Sequence, residues 1–171
     1  MANYKRYYLD NSPYFITTNT VDRRPIFHDI HLANILMENI DYYRAKMKFL
    51  FIGYVIMPNH FHAIFIPQAS YTISDIMRNI KYHTAKDIHI HIQGRSGPGP
   101  DLRWLESGQI WQARFYDEVI ENDKELIIKL DYIHYNPVKS GLTQDAVDYK
   151  YSSARNYYLN DHSIIKIDHI N

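Results

Sequence analysis

The sequence predicts an α+β fold, an antiparallel sheet with helices packed on it. Three observations carry this. A nearly continuous apolar run at 49–57, FLFIGYVIM, is followed by Pro58-Asn59 and then by a second apolar run, HFHAIFI, at 60–66. Two such runs joined by a two-residue turn form a hairpin, and hairpin strands are antiparallel. Stretches of helical spacing flank that hairpin on both sides, and strands interleaved with helices in this order pack as layers.

The elements follow in chain order. Residues 14–21 (YFITTNTV) are rich in aromatic and β-branched side chains and read as a strand, closed by the turn-like Asp22-Arg23-Arg24-Pro25. From 29 to 46 apolar residues recur as Leu32, Ile35, Leu36, Ile40 and Tyr43, an amphipathic helix. The run at 49–57 is apolar throughout, as a strand buried on both faces must be. Residues 71–92 return to helical spacing through Ile73, Ile76, Ile80 and Ile88, with Ser74 or Thr72 able to cap the start. Gln93 to Pro100 (QGRSGPGP) is the one Gly/Pro-rich break, a loop at about 93–101 rather than a domain boundary. Residues 111–120 hold one short strand at their end. Asn122 caps a further helix, with Glu125 three residues on as in a capping box. That helix is expected to stop at Asn136, because Pro137 disfavours helical backbone before it. Ser152-Ser153 caps a short helix toward Tyr158, and a tail completes the chain. The whole of 1–171 reads as one domain.

Composition narrows the function. The chain has 171 residues, no Cys, 10 His and 16 Tyr, with 19 Lys+Arg against 19 Asp+Glu. Without Cys there are no disulfides, thiolate metal sites or cysteine nucleophiles. No stretch approaches the roughly 18 apolar residues of a membrane span, and the N-terminal residues lack the apolar run of a secretory signal. The expected location is cytoplasmic, associated with the nucleoid if the protein acts on DNA. Zero net charge conceals asymmetry: residues 1–100 hold 11 Lys+Arg and 7 Asp+Glu, and residues 101–171 hold 8 and 12. A locally basic face can bind nucleic acid whatever the total.

His60-Phe61-His62 is the sharpest local feature. On a strand, residues two apart share a face, so both imidazoles project together while Phe61 turns into the apolar layer. Two neutral imidazoles converging on one point suit a divalent cation; the plainer alternative is two His on a polar strand face. His89-Ile90-His91 repeats the spacing on a helix, where residues two apart do not share a face, and these two are expected to face solvent. Tyr132 and Asn136 are four apart on one helical face and could meet the histidine pair. Each also has a plain alternative, Tyr132 as a packing residue and Asn136 as the helix end.

Three blocks together resemble a family. Met57-Pro58-Asn59-His60-Phe61-His62 is similar to the His-hydrophobe-His motif of the IS200-like single-tyrosine transposases. The blocks at 111–117 (WQARFYD) and 131–142 (DYIHYNPVKSGL) look like signatures of one branch, the REP-associated tyrosine transposases, which act at repetitive extragenic palindromes. The blocks occur in the family's order. The resemblance implies a ferredoxin-like fold, with His60, His62 and Asn136 holding a Mg²⁺ or Mn²⁺ ion and Tyr132 as nucleophile. Tyr135 and Tyr116 rank below Tyr132. It implies cleavage and rejoining of single-stranded DNA at palindromic hairpins through a 5′-phosphotyrosine, as a monomer or a homodimer and away from membranes. For DNA contacts it points to Lys5 and Arg6, in a segment of interleaved basic and aromatic residues; Arg23 and Arg24 add to the basic face. The competing readings are a catalytically silent module binding single-stranded DNA or RNA hairpins, and an unrelated small metal-binding α+β enzyme, which leaves the two later blocks unexplained.

Overall fold

The structure, a computed structural model, describes residues 9, 11–68, 70–94 and 108–170. Lys5, Arg6 and the greater part of the 93–101 loop lie outside them. Four strands, β1 (Tyr14–Asn19), β2 (Leu50–Met57), β3 (His60–Ile66) and β4 (Tyr116–Val119), form one sheet in the order β2-β3-β1-β4. Every pairing is antiparallel. With α1 (Ile30–Met47) between β1 and β2, and α2 (Ile73–Gln93) between β3 and β4, this is the expected ferredoxin-like arrangement.

Strand alternation divides the core in two. Phe61, Ala63 and Phe65 of β3 join Tyr14 and Ile16 of β1 in the larger cluster beneath α1 and α2. Phe15, Val55, Met57 and Ile64 face the other way, where Ile133, Leu126 and Leu130 of α3 (Asp123–Lys139) cover them. Two helices therefore shield one sheet face and one helix shields part of the other. The α3 layer lies close over β2: a Cβ on Gly53 would stand 2.6 Å from Leu130 Cδ2, so the absent side chain makes room for the helix.

Capping choices reflect side-chain chemistry. Thr72, not Ser74, caps α2, in a full box with Asp75. At α3, Asn122 accepts from Glu125 N–H, but the Glu125 carboxylate reaches Glu121 N–H, one residue before the cap.

Two expectations are corrected. The α3 helix does not end at Asn136 but runs through Pro137 to Lys139. Proline removes one hydrogen bond, and so near the helix end the loss is small. The last turn is closed instead by Ser140 N–H to Asn136 O at 3.0 Å and Leu142 N–H to Pro137 O at 2.9 Å, around Gly141 at φ 70°. His89 and His91 are half-buried rather than solvent-facing. The His89 ring meets Gly108 O at 3.0 Å, and the His91 ring stacks on His31 at 5.8 Å.

The tail beyond α4 (Ala154–Leu159) and the segment just before that helix close the free edge of β2. Ile56 N–H donates to Tyr151 O, Ser153 N–H to Tyr54 O, and Asp168 N–H to Phe51 O. Phe51 N–H in turn donates to the Asp168 carboxylate, which also pairs with Arg44. An open strand edge invites pairing with other chains, and here it is occupied.

Candidate active site

The strand register builds the site. In β3, His60 lies opposite Asn19 and His62 opposite Thr17 of β1, while Met57 and Val55 of β2 flank them on the other side. Cross-strand partners share a face, so Asn19, Thr17, His60 and His62 all rise from the sheet toward α3. The imidazole centroids are 4.7 Å apart. Helix α3 brings Tyr132 to the same place, its ring 5.2 Å from the His62 ring and edge-on to it. One turn on, Asn136 is buried, its side chain close enough to His60 to raise that ring's pKa. The structure thus brings together all four residues expected from the sequence: His60, His62, Tyr132 and Asn136.

The outer contacts orient both rings. His60 Nδ1 lies 2.6 Å from Asn59 Oδ1, which can only accept; the proton is therefore on Nδ1 and the lone pair on Nε2. His62 Nδ1 meets Thr17 Oγ1 at 2.8 Å, and its Nε2 is buried without a hydrogen-bond partner. A buried imidazole nitrogen without a partner is costly in a resting fold, and in the Nδ1-protonated tautomer it would present a lone pair to a cation. Burial, then the Arg23 charge, lowers the His60 pKa to about 4, against the effect of Asn136. Burial, then the charge of His60, lowers His62 to about 3. Both rings are neutral near pH 7, the form that binds a metal. Among the described residues no third His, Cys, Asp or Glu joins them, and Asn136 offers a neutral amide beside the pair.

Tyr132 is 40% exposed, enough for its hydroxyl to meet a large substrate. Phe15 supports the ring at 5.8 Å, and Lys139 Nζ stands 5.7 Å from its centroid. Tyr116 lies opposite Thr17 on β4, one strand farther from His62. Its hydroxyl donates to Glu118, and that bond raises its pKa, which disfavours the phenolate. Tyr135 is exposed, three residues beyond Tyr132 on α3. Arg23 is exposed, donates to Asn19 Oδ1 at 3.3 Å and is close enough to depress both histidines. Asp22 and Arg23 both hold left-handed backbone, φ 49° and 51°, at the mouth of the site. Arg24 is exposed beside it. Thr17, Asn59, Asn19 and Lys139 escaped sequence reasoning; a register assignment between the first strand and the hairpin would have found Thr17 and Asn19.

Residues 9–136 match the family model described as Transposase IS200 like, and the chain belongs to that family. It is also similar to members of a narrower group. The REP-associated tyrosine transposase of Escherichia coli (strain K12) is 28% identical over 154 residues, covering 90% of this chain and 82% of the relative. A Haemophilus influenzae relative is 29% identical over 161 residues, covering 90% and 85%. A solved REP-associated tyrosine transposase bound to a REP hairpin superposes with TM-score 0.73 at 26% identity, over 100% of this chain and 94% of the other. A Deinococcus radiodurans crystal structure shares the fold at TM-score 0.51 and 16% identity, over 78% and 94%.

Proposed function

We propose that this protein cleaves and rejoins single-stranded DNA at palindromic hairpins, with Tyr132 as the nucleophile. The observation that carries this is the meeting of the Tyr132 ring with the His60–His62 pair, whose buried Nε2 on His62 is unpaired. His60, His62 and Asn136 would hold a Mg²⁺ or Mn²⁺ ion. Such an ion supplies charge neutralisation and orientation at a phosphate.

The chain's own residues account for the rest. The sheet fixes both histidines, and helix α3 fixes the tyrosine over them, so the nucleophile is positioned before substrate arrives. The Tyr132 oxygen attacks phosphorus as the phenol proton leaves. The bond from phosphorus to the 3′ oxygen breaks, and that oxygen takes up a proton. The products are a 5′-phosphotyrosine and a free 3′-hydroxyl. Because the phosphodiester is conserved as a phosphotyrosine ester, a second 3′-hydroxyl can reverse the step and complete transfer. Arg23 and Arg24 at the site mouth offer charge to the DNA backbone. The hairpin bound to the solved relative supports a hairpin substrate here.

Incubation with Mg²⁺ or Mn²⁺ and a single-stranded hairpin oligonucleotide should give a covalent protein–DNA adduct, visible as a mobility shift on a denaturing gel. Tyr132→Phe should abolish the adduct; an adduct persisting in that variant would sink the assignment. His60→Ala and His62→Ala should abolish cleavage while hairpin binding survives. Hairpin binding by the wild type without any adduct would point to the silent binding module.

A further inference from the structure

Two lysines of α3 flank Tyr132 on one side of the helix, Lys129 a turn before it and Lys139 in the last turn. Their surroundings differ. Lys129 Nζ lies 4.8 Å from the centroid of Phe15, the ring that supports Tyr132, and its charge is taken up by Glu118 at 2.7 Å. Lys139 Nζ stands over the Tyr132 ring itself, at 5.7 Å. It is exposed, and among the described residues no ion pair engages it. A cation in a last turn suits the helix dipole, and the ring face attracts it. Neither effect uses the hydrogen-bond donors of the ammonium.

The nearest partners of Tyr132 bring it no positive charge. Burial holds His60 and His62 neutral near pH 7, and Asn136, between Tyr132 and Lys139 along the helix, is an amide. A phosphodiester carries one negative charge on its non-bridging oxygens, and cations placed on those oxygens stabilise a phosphoryl group in transfer. The Lys139 ammonium is carried on a flexible four-carbon stem. Because the Tyr132 ring and its oxygen are one rigid unit, a cation already at the ring is within reach of a phosphate bonded to that oxygen.

From this placement we propose that Lys139 is a catalytic residue that binds the scissile phosphate. Its ammonium donates to a non-bridging oxygen as the Tyr132 oxygen bonds to phosphorus and the bond from phosphorus to the 3′ oxygen breaks. The phenol proton leaves to solvent and the 3′ oxygen takes one up, while Lys139 remains an ammonium throughout. The phosphotyrosine diester keeps the single negative charge of the phosphodiester, so Lys139 has the same partner before and after the step and serves rejoining as well as cleavage. This rests on the DNA-cleaving reading of the Tyr132 site.

Single-turnover adduct formation on a single-stranded hairpin oligonucleotide with Mn²⁺ tests it, with hairpin affinity read in parallel by fluorescence anisotropy. Lys139→Met keeps the length of the stem and removes the charge; Lys139→Arg keeps the charge. The adduct rate should fall about tenfold in Lys139→Met, the size of one lost hydrogen bond to a charged group, with hairpin affinity unchanged. Lys139→Arg should recover most of the rate. An unchanged rate in Lys139→Met would overturn the proposal. So would equal slowing in Lys139→Arg, which would mark a packing role, or a loss of hairpin affinity matching the loss of rate, which would mark a general DNA contact. A wild type that binds the hairpin and forms no adduct fails the DNA-cleaving reading and the Lys139 assignment together. A wild-type adduct that Lys139→Met forms equally fast fails the Lys139 assignment alone.

Discussion

Thr17 shows how much of the site lies outside the residues that would touch a ligand. Its hydroxyl occupies His62 Nδ1 at 2.8 Å and so aims the ring. Thr17→Val keeps the shape and removes that partner; loss of such supporting contacts lowers metal affinity by about 10–100-fold. Isothermal titration with Mn²⁺ should show this drop while circular dichroism stays unchanged. A second consequence concerns acid. His60 and His62 sit at about 4 and about 3, and burial takes His134 to about 4, all below the ordinary 6.5. Between those values the unfolded chain binds protons that the native chain refuses. Their contribution is therefore fully present above pH 6.5 and is lost as pH falls toward about 4. Thermal melts should show the midpoint falling across that window, less steeply in His62→Gln. At this scale the sequence was readable where one rule sufficed. Alternation put His60 and His62 on one face, and four-residue spacing put Tyr132 with Asn136. Thr17 was hidden because its role depends on a pairing 45 residues away in the chain, which no local pattern encodes.

Helix α3 is where an element-level rule misled. The residue before a proline is disfavoured in helix, yet Asn136 is helical and buried. The rule weighs local sterics, and here packing of Ile133, His134, Asn136 and Pro137 against the sheet outweighs it. The result matters for the site: Asn136 is held inside a regular turn instead of at a fraying end. Two contacts set the height of this helix over β2. One is Leu130 over Gly53. The other is His134 Nε2 to Ser153 Oγ at 2.9 Å, with Ser153 Oγ also accepting from Tyr54 N–H. Gly53→Ala should displace Leu130 and destabilise the protein by about 1 kcal/mol, the low end for overpacking because only a side-chain tip has to move. Urea denaturation should find that the penalty shrinks in the Leu130→Ala background, where the obstructing methyl is gone. The remaining elements matched their periodicity closely, the β3 strand to the residue, because a hairpin and two amphipathic helices are local patterns.

At the scale of the whole molecule, the order strand, helix, strand, strand, helix, strand, helix was legible in the sequence. That β4 would pair with β1, and that the tail would matter, was not. The match to the family model ends at residue 136, and residues 151–168 beyond it close the β2 edge. Asp168→Ala would leave Phe51 N–H without its partner and Arg44 without its carboxylate. An unsatisfied buried donor costs about 1–3 kcal/mol, so the melting temperature should fall, and the freed edge should raise light scattering on storage. Net charge also became clearer with the fold, since Arg23 stands close enough to depress both histidines although the chain's total is zero. The two halves of the active site belong to different pieces of chain, a hairpin and a distant helix, meeting along the seam at Gly53 and Ser153. On the proposed reading, reactivity would be a property of a joint. A small molecule wedged into that seam would part Tyr132 from the histidines, and would block the proposed reaction without touching either group.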